Sequence, residues 1–279
     1  MNRGKGARSN PGFFRKAVFG MLLMLLCLTG RMQGEEKNAF GESTRIPASL
    51  IGVLYDLKQT QNHQPTNVDA NSYSTVVDEF LSKDWDESVL NRYYRVATAL
   101  YTTQIFMPQM QAGAAPKAFG VEKSVMPSRW LIHYKGQVSP PSAGTYRFWG
   151  FADDILAVAV NGKTVLVGNR SDTRLPNVKW KSSEPDGAKA ANNSLRAGDW
   201  MDLDADEIID MDVIVGERPG GLFNAFLLVE KRGESYAKDE KGHSILPIFQ
   251  VAPYDTKPIS DRSIAPAFAK GHRIWKSYQ

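Results

Sequence analysis

Cysteine is almost absent from this chain: among 279 residues there is one, Cys27, inside an apolar run near the N-terminus. Removal of that run would leave no thiol, hence no disulfide and no cysteine nucleophile. Such a domain has to rely on its own core, which about 240 residues can supply. Histidine is scarce too: His63, His133, His243 and His272 are scattered, with no HExxH and no close pair to ligate zinc. No G-x-S-x-G, phosphate-cradling loop or GxGxxG occurs, and no internal repeat is visible. Charge of one sign is also in short supply. The formal net charge is +4, and Arg3, Lys5, Arg8, Arg15 and Lys16 all lie in the first sixteen residues. The remainder is close to neutral, so no basic face is expected and nucleic acid is excluded as a partner.

The N-terminus carries the clearest local signal. A basic stretch to Lys16 leads into the apolar run Ala17 to Leu28, followed by the polar exit Arg31-Met32-Gln33-Gly34-Glu35-Glu36. A membrane span needs about 20 apolar residues, so the run suits the core of a signal peptide better. Gly30 and Gly34 are small residues placed for cleavage, without an Ala-x-Ala pattern, and an uncleaved anchor stays open. Lipidation of Cys27 is disfavoured because Met24-Leu25-Leu26 lacks small residues before it. The expected organisation is a signal peptide or anchor over 1–34, a polar linker over 35–47, one domain over 48–255 and a basic, loosely ordered tail over 256–279.

Within the domain, Ala48 to Leu57 reads as a buried strand and Gln59 to Asn71 as a polar loop. Val76, Val77, Phe80 and Leu81 recur at helical spacing behind Asn71 and Ser72, and a second apolar stripe from Val89 through Tyr93, Ala97 and Leu100 predicts another helix. Together these form a helical segment over about 72–101. Thr102 to Met107 extends as a strand ended by Pro108, and Gln109 to Pro127 is expected to be a long loop. From Arg129 the period changes to two. Strands are predicted over 130–138, 145–151, 155–160, 163–167, 208–215 and 222–230, with 168–198 as a polar excursion. Asn161-Gly162 is a strong two-residue hairpin signal. Ile209, Met211, Val213 and Val215 should face one way and Asp210 and Asp212 the other. Asp202, Asp204 and Asp206 begin like a calcium-binding EF-hand loop, but Glu207 stands where glycine is needed and Val213 where glutamate is needed. Short antiparallel strands with such turns point to an all-β sandwich.

The order of several segments resembles the PA14 family. They are Leu50 to Tyr55, Trp130 to Gly136, Pro140 to Phe148, Ala152-Asp153-Asp154-Ile155-Leu156, Val160 to Lys163, Leu195 to Gly198 and Met211 to Glu217 with Gly220-Gly221. The resemblance covers roughly 48–58 and 129–231, and the helical segment between them falls outside it as an insertion. It implies an antiparallel PA14-like β-sandwich with a helical insertion between the first strand and the core sheet.

The resemblance also implies a site. In sugar-binding members an aspartate pair joined by a cis peptide holds Ca²⁺, which accepts sugar hydroxyls. Asp153 and Asp154 match that pair. Ca²⁺ takes six to eight oxygens, and those members add an asparagine from a later loop, where this chain has Glu217 followed by Arg218. Two readings stand side by side. In one, Asp153, Asp154 and Glu217 hold Ca²⁺ while Trp149, Phe223 and Arg218 meet a ligand. In the other, the pair is structural, capping a turn or neutralised by Arg218. Adjacent carboxylates do not flank a bond at the separation glycoside hydrolysis needs, so a glycan-active enzyme is the least supported class and no catalytic residue is expected. The function expected is an exported, non-enzymatic binding module, periplasmic, cell-envelope-bound or secreted. Its partner would be a glycan or an envelope protein, a calcium-dependent lectin-like domain is the alternative, and membrane contact would come only through an uncleaved N-terminal segment.

Overall fold

The computed structural model describes residues 38–191, 193–253, 264–270 and 274–278. The signal peptide or anchor expected over 1–34, the first residues of the expected linker and parts of the expected tail lie outside the described residues. No helix among the described residues is long and apolar enough to cross a membrane.

The chain enters strand β1 (Leu50–Asp56), then forms helix α1 (Tyr73–Ser82) and a single turn, α2 (Glu87–Leu90). Asp86 caps α2 by accepting the Ser88 N–H at 2.9 Å. The second expected helix ends there. Residues Tyr94–Thr102 form strand β2, which pairs antiparallel with β1. The stripe that reads as helical also satisfies a period of two, because Val96, Leu100 and Thr102 are its buried members. β-branched and aromatic residues favour the strand once an edge is available.

Strand β3 (Phe106–Gln111) runs through Pro108 rather than stopping before it, and α3 (Ala114–Ala118) replaces part of the expected long loop. Proline is tolerated because β3 is an edge strand. Then follow β4 (Trp130–Ser139), β5 (Gly144–Asp153), β6 (Ile155–Val160) and β7 (Lys163–Val167). The expected excursion holds three two-residue strands, β8 (Lys189–Ala190), β9 (Asn193–Ser194) and β10 (Arg196–Ala197). The series ends with β11 (Met201–Leu203), β12 (Ile209–Glu217), β13 (Leu222–Lys231) and β14 (Lys276–Tyr278).

These strands form two antiparallel sheets. One has the order β2-β1-β4-β12-β6-β7, with β14 also on β4; the other has the order β10-β5-β13-β3, with β11 also on β5. Between them lies the main core of Trp130, Ile132, Phe148, Leu156, Val213, Val215, Phe223 and their neighbours. The alternation expected in β12 is present: Ile209, Met211, Val213 and Val215 join this core, whereas Asp210 is exposed and Asp212 meets His133. Helices α1 and α2 cover the outer face of the larger sheet through Val77, Phe80, Leu81 and Leu90 against Leu131, Ala157 and Ile214. His133 is buried beneath them, its Nε2 2.7 Å from Oδ1 of Asp212. Asp202 lies on β11 and Asp206 pairs with Lys276, so the aspartates of the EF-hand-like stretch serve a strand and a surface ion pair.

Two boundary expectations are corrected. Phe40, placed in a loose linker, is buried and stacks on Phe223 with centroids 5.9 Å apart. The C-terminal segment is likewise no loose tail where it is described. Trp275 is buried against Tyr146, Phe148 and Phe249, and β14 pairs with the end of β4 beyond the reach of β1. In both cases an isolated aromatic among polar residues supplies the apolar area that docks the segment.

Candidate functional site

The chain passes from the smaller sheet to the larger between Asp153, the last residue of β5, and Ile155, the first of β6. Asp153 and Asp154 therefore occupy the crossing, joined by a cis peptide bond. Their backbone is fixed on both sides: Asp154 N–H donates to Gly216 O at 2.9 Å and Asp154 O accepts Arg170 N–H at 2.9 Å. Both side chains are buried. A buried carboxylate needs a compensating charge or hydrogen bonds, and two arginines are at hand.

Arg170 Nη1 lies 3.0 Å from Asp153 Oδ1, and Arg170 Nε lies 3.2 Å from Asp172 Oδ1. Arg218 Nη2 lies 2.7 Å from Asp172 Oδ2 and 3.7 Å from Asp154 Oδ1. The Arg218 main-chain N–H also donates to Asp154 Oδ2 at 2.8 Å. The five residues thus close a ring in which aspartates and arginines alternate except at the Asp153–Asp154 peptide. Its inner members are buried, while the Asp172 side chain is 52% exposed.

Glu217 ends β12 beside this ring. Its Oε1 accepts Gly220 N–H at 2.8 Å, and its Oε2 is buried without a partner. Burial first, and the neighbouring charge of Asp154 second, push the Glu217 carboxyl up to about 8. Asp154 is raised as well, chiefly by burial, against the lowering effect of the Arg218 N–H. Asn224 on β13 stands opposite Asp153 in register, fully buried, with neither side-chain polar atom partnered. Tyr73 of α1 reaches the same end of the sandwich, its hydroxyl donating to Trp130 O at 3.1 Å.

The structure therefore brings together Asp153, Asp154, Glu217 and Arg218 among the expected site residues. It does not bring the expected stacking aromatics to them. Phe223 is fully buried between the sheets against Phe40 and Trp130, so it cannot stack on a ligand. Trp149 lies further back on β5, where its Nε1 donates to Glu230 Oε2 at 2.6 Å and the Arg147 guanidinium sits 4.8 Å from its ring centroid. The Gly187 backbone covers it closely, since a Cβ there would lie 2.6 Å from the ring. Sequence reasoning missed Arg170, Asp172 and Asn224. The first two fall in a polar excursion where nothing distinguishes them from solvated residues. Asn224 did leave a signal, as a polar residue inside the apolar stretch Leu222 to Val229.

The oxygens of Asp153, Asp154, Glu217 and Asn224 are the hard donors that calcium prefers. In this arrangement, however, guanidinium groups already contact both aspartates, and among the described residues no three acidic, histidine or cysteine side chains are grouped as metal ligands. The residues as placed do not fit the ion, which would have to displace an arginine.

Fold and site together define an antiparallel β-sandwich with a charged crossing at one end, and the chain is similar at low identity to several solved structures. One is a PA14 sugar-binding domain from an RTX adhesin, with 14% identity, TM-score 0.40, and coverage of 71% of this chain and 98% of that one. Another is the PA14 domain of the MpAFP antifreeze protein, with 15% identity, TM-score 0.41, and coverage of 69% and 86%. A third is the epithelial adhesin 6 A domain from Candida glabrata in complex with Galβ1-3GlcNAc, with 13% identity, TM-score 0.41, and coverage of 76% and 95%. These are likenesses of chain path at low identity; the sandwich itself rests on the strand pairing. No family model matches the sequence, and no curated protein matches it.

Proposed function

We propose that this chain is an exported, non-enzymatic binding module that engages a glycan or an envelope protein at the Asp153–Asp154 crossing. One observation carries the reading: buried carboxylates on rigid strand ends orient two arginines toward the half-exposed carboxylate of Asp172. A site on strand ends is pre-organised, which lowers the ordering cost of binding. Support for a non-catalytic role comes from the same geometry. The paired carboxylates are sequence neighbours engaged by arginines, so neither is free to act across a scissile bond from the other.

A calcium-dependent, lectin-like role is the second reading; it requires an arginine to leave the aspartates, which would free oxygens of Asp153 and Asp154 for the ion. Glycan-array binding by the purified chain, repeated with chelator and with added calcium, separates the two. Binding that persists in chelator supports the arginine-bracketed site. Binding that requires calcium, with a calcium-dependent rise in melting temperature, supports the second. Retention of wild-type ligand binding by an Arg218→Glu variant would sink the placement of the site. Export is tested separately by fractionation: the reading expects the protein outside the cytosol, and a cytosolic full-length chain would overturn it.

A further inference from the structure

Two singly charged groups stand where the family resemblance implies one doubly charged ion. Arg170 Nη1 lies 3.0 Å from Asp153 Oδ1 and Arg218 Nη2 lies 3.7 Å from Asp154 Oδ1, so each aspartate of the pair faces its own guanidinium. The two carboxylates are nearly out of water, with side-chain exposures of 6% and 1%. Adjacent buried charges of one sign persist only beside compensating charge. A pair of guanidinium groups supplies the same total charge as one calcium ion. Both arginines are fixed in that place. Asp172 bridges them, with Oδ1 3.2 Å from Arg170 Nε and Oδ2 2.7 Å from Arg218 Nη2. Arg218 is also placed by its main chain, whose N–H donates to Asp154 Oδ2 at 2.8 Å. Arg170 belongs to the connection after β7, and that connection is pinned to helix α1. The buried Asp78 carboxylate accepts Asn177 N–H at 2.9 Å, Val178 N–H at 3.2 Å and Asn177 Nδ2 at 2.6 Å. The helical segment that falls outside the family resemblance thus holds the strap that delivers Arg170.

We propose that Arg170 and Arg218 replace the divalent cation at this crossing, so that the aspartate pair is charge-balanced from within the chain and takes no calcium. The inference concerns what holds the crossing together and is independent of what the crossing engages. A guanidinium stays charged at any physiological pH and comes with the chain. The crossing therefore keeps its shape without a free ion. Calcium would gain the aspartate oxygens only by expelling a guanidinium from its bridge to Asp172, which leaves that cation to be neutralised elsewhere.

Calorimetric titration of the full chain with calcium chloride, and melting in chelator or in about 10 mM calcium, test the exchange. Wild type should give no binding heat and one melting temperature in both solutions. Arg170→Ala combined with Arg218→Ala should melt about 5–10 °C lower in chelator. Calcium should recover part of that loss, because the aspartates then lack a cation. The loss should also largely vanish in a chain that carries Asp153→Asn and Asp154→Asn, where no charge is left to balance. A loss of packing alone would persist there and ignore calcium. If the double-arginine variant does not fold, Arg170→Ala alone, compared with and without Asp153→Asn, gives the same readout. Calcium heat with wild type, undiminished stability of the arginine variant, or a loss that either calcium or the asparagines leave untouched overturns the inference. These readouts are stability and metal binding, so ligand binding on a glycan array stands or falls separately.

Discussion

Arg218 holds Asp154 in two ways: its main-chain N–H donates to Oδ2 at 2.8 Å, and its guanidinium lies 3.7 Å from Oδ1 of the same carboxylate. The first contact depends only on where β12 ends, and the second on the side chain. Arg218→Ala should therefore preserve the path of the crossing but leave a buried carboxylate with less compensation. A loss of about 1–3 kcal/mol is expected in urea unfolding. A variant as stable as wild type would show that Arg170 alone balances the pair.

Phe223 tests whether the aromatic beside the site serves a ligand or the core. It is fully buried and packs on Phe40 and Trp130. Phe223→Ala should lower stability by about 3–5 kcal/mol, the cost of an aromatic-sized cavity. A variant that keeps its stability but loses ligand affinity would restore the stacking role.

The hairpin between β6 and β7 offers a cleaner backbone test. Asn161 and Gly162 both have positive φ, 50° and 76°, as the two-residue turn between Val160 and Lys163 demands. A Cβ on Gly162 would meet nothing within 4 Å. Any cost of Gly162→Val is thus conformational and should be about 1–2 kcal/mol. An unchanged melting temperature would contradict the turn geometry.

The Asn-Gly turn and the alternation of β12 were legible because each follows from local rules, φ preference in one case and a period of two in the other. The same rules misled over Tyr94–Thr102. Val96, Leu100 and Thr102 fit a strand, Tyr93, Ala97 and Leu100 fit a helix, and only the neighbouring edge of β1 decides between them. The aspartate pair and Glu217 could be found in order along the chain. Arg170 and Asp172 could not, because their role arises from a connection folding back on the crossing, and no periodicity records that. Trp275 was hidden in the same way: a single aromatic in a basic stretch becomes core only because Tyr146, Phe148 and Phe249 converge on it. Trp275→Ala should cost about 3–5 kcal/mol in urea unfolding, and an effect below about 0.5 kcal/mol would mean that the C-terminal segment is undocked in solution.

Glu217 gives the site a pH dependence whose sign follows from its burial. Its carboxyl is pushed from an ordinary value of 4.5 up to about 8, first by burial and then by the charge of Asp154. Between those values the folded chain keeps a proton that the unfolded chain has released. The folded state then binds more protons, so this group's contribution to stability falls as pH rises from about 4.5 through about 8 and levels off above. Glu217→Gln mimics the protonated carboxyl and keeps the acceptor for Gly220 N–H, so it should remove that slope. The variant should be more stable than wild type near pH 9, with the difference shrinking toward pH 5. Urea midpoints for both chains across that range check this. Parallel profiles would mean that Glu217 ionises in the folded chain as it does in the unfolded one, compensated by a charge that the ring does not supply.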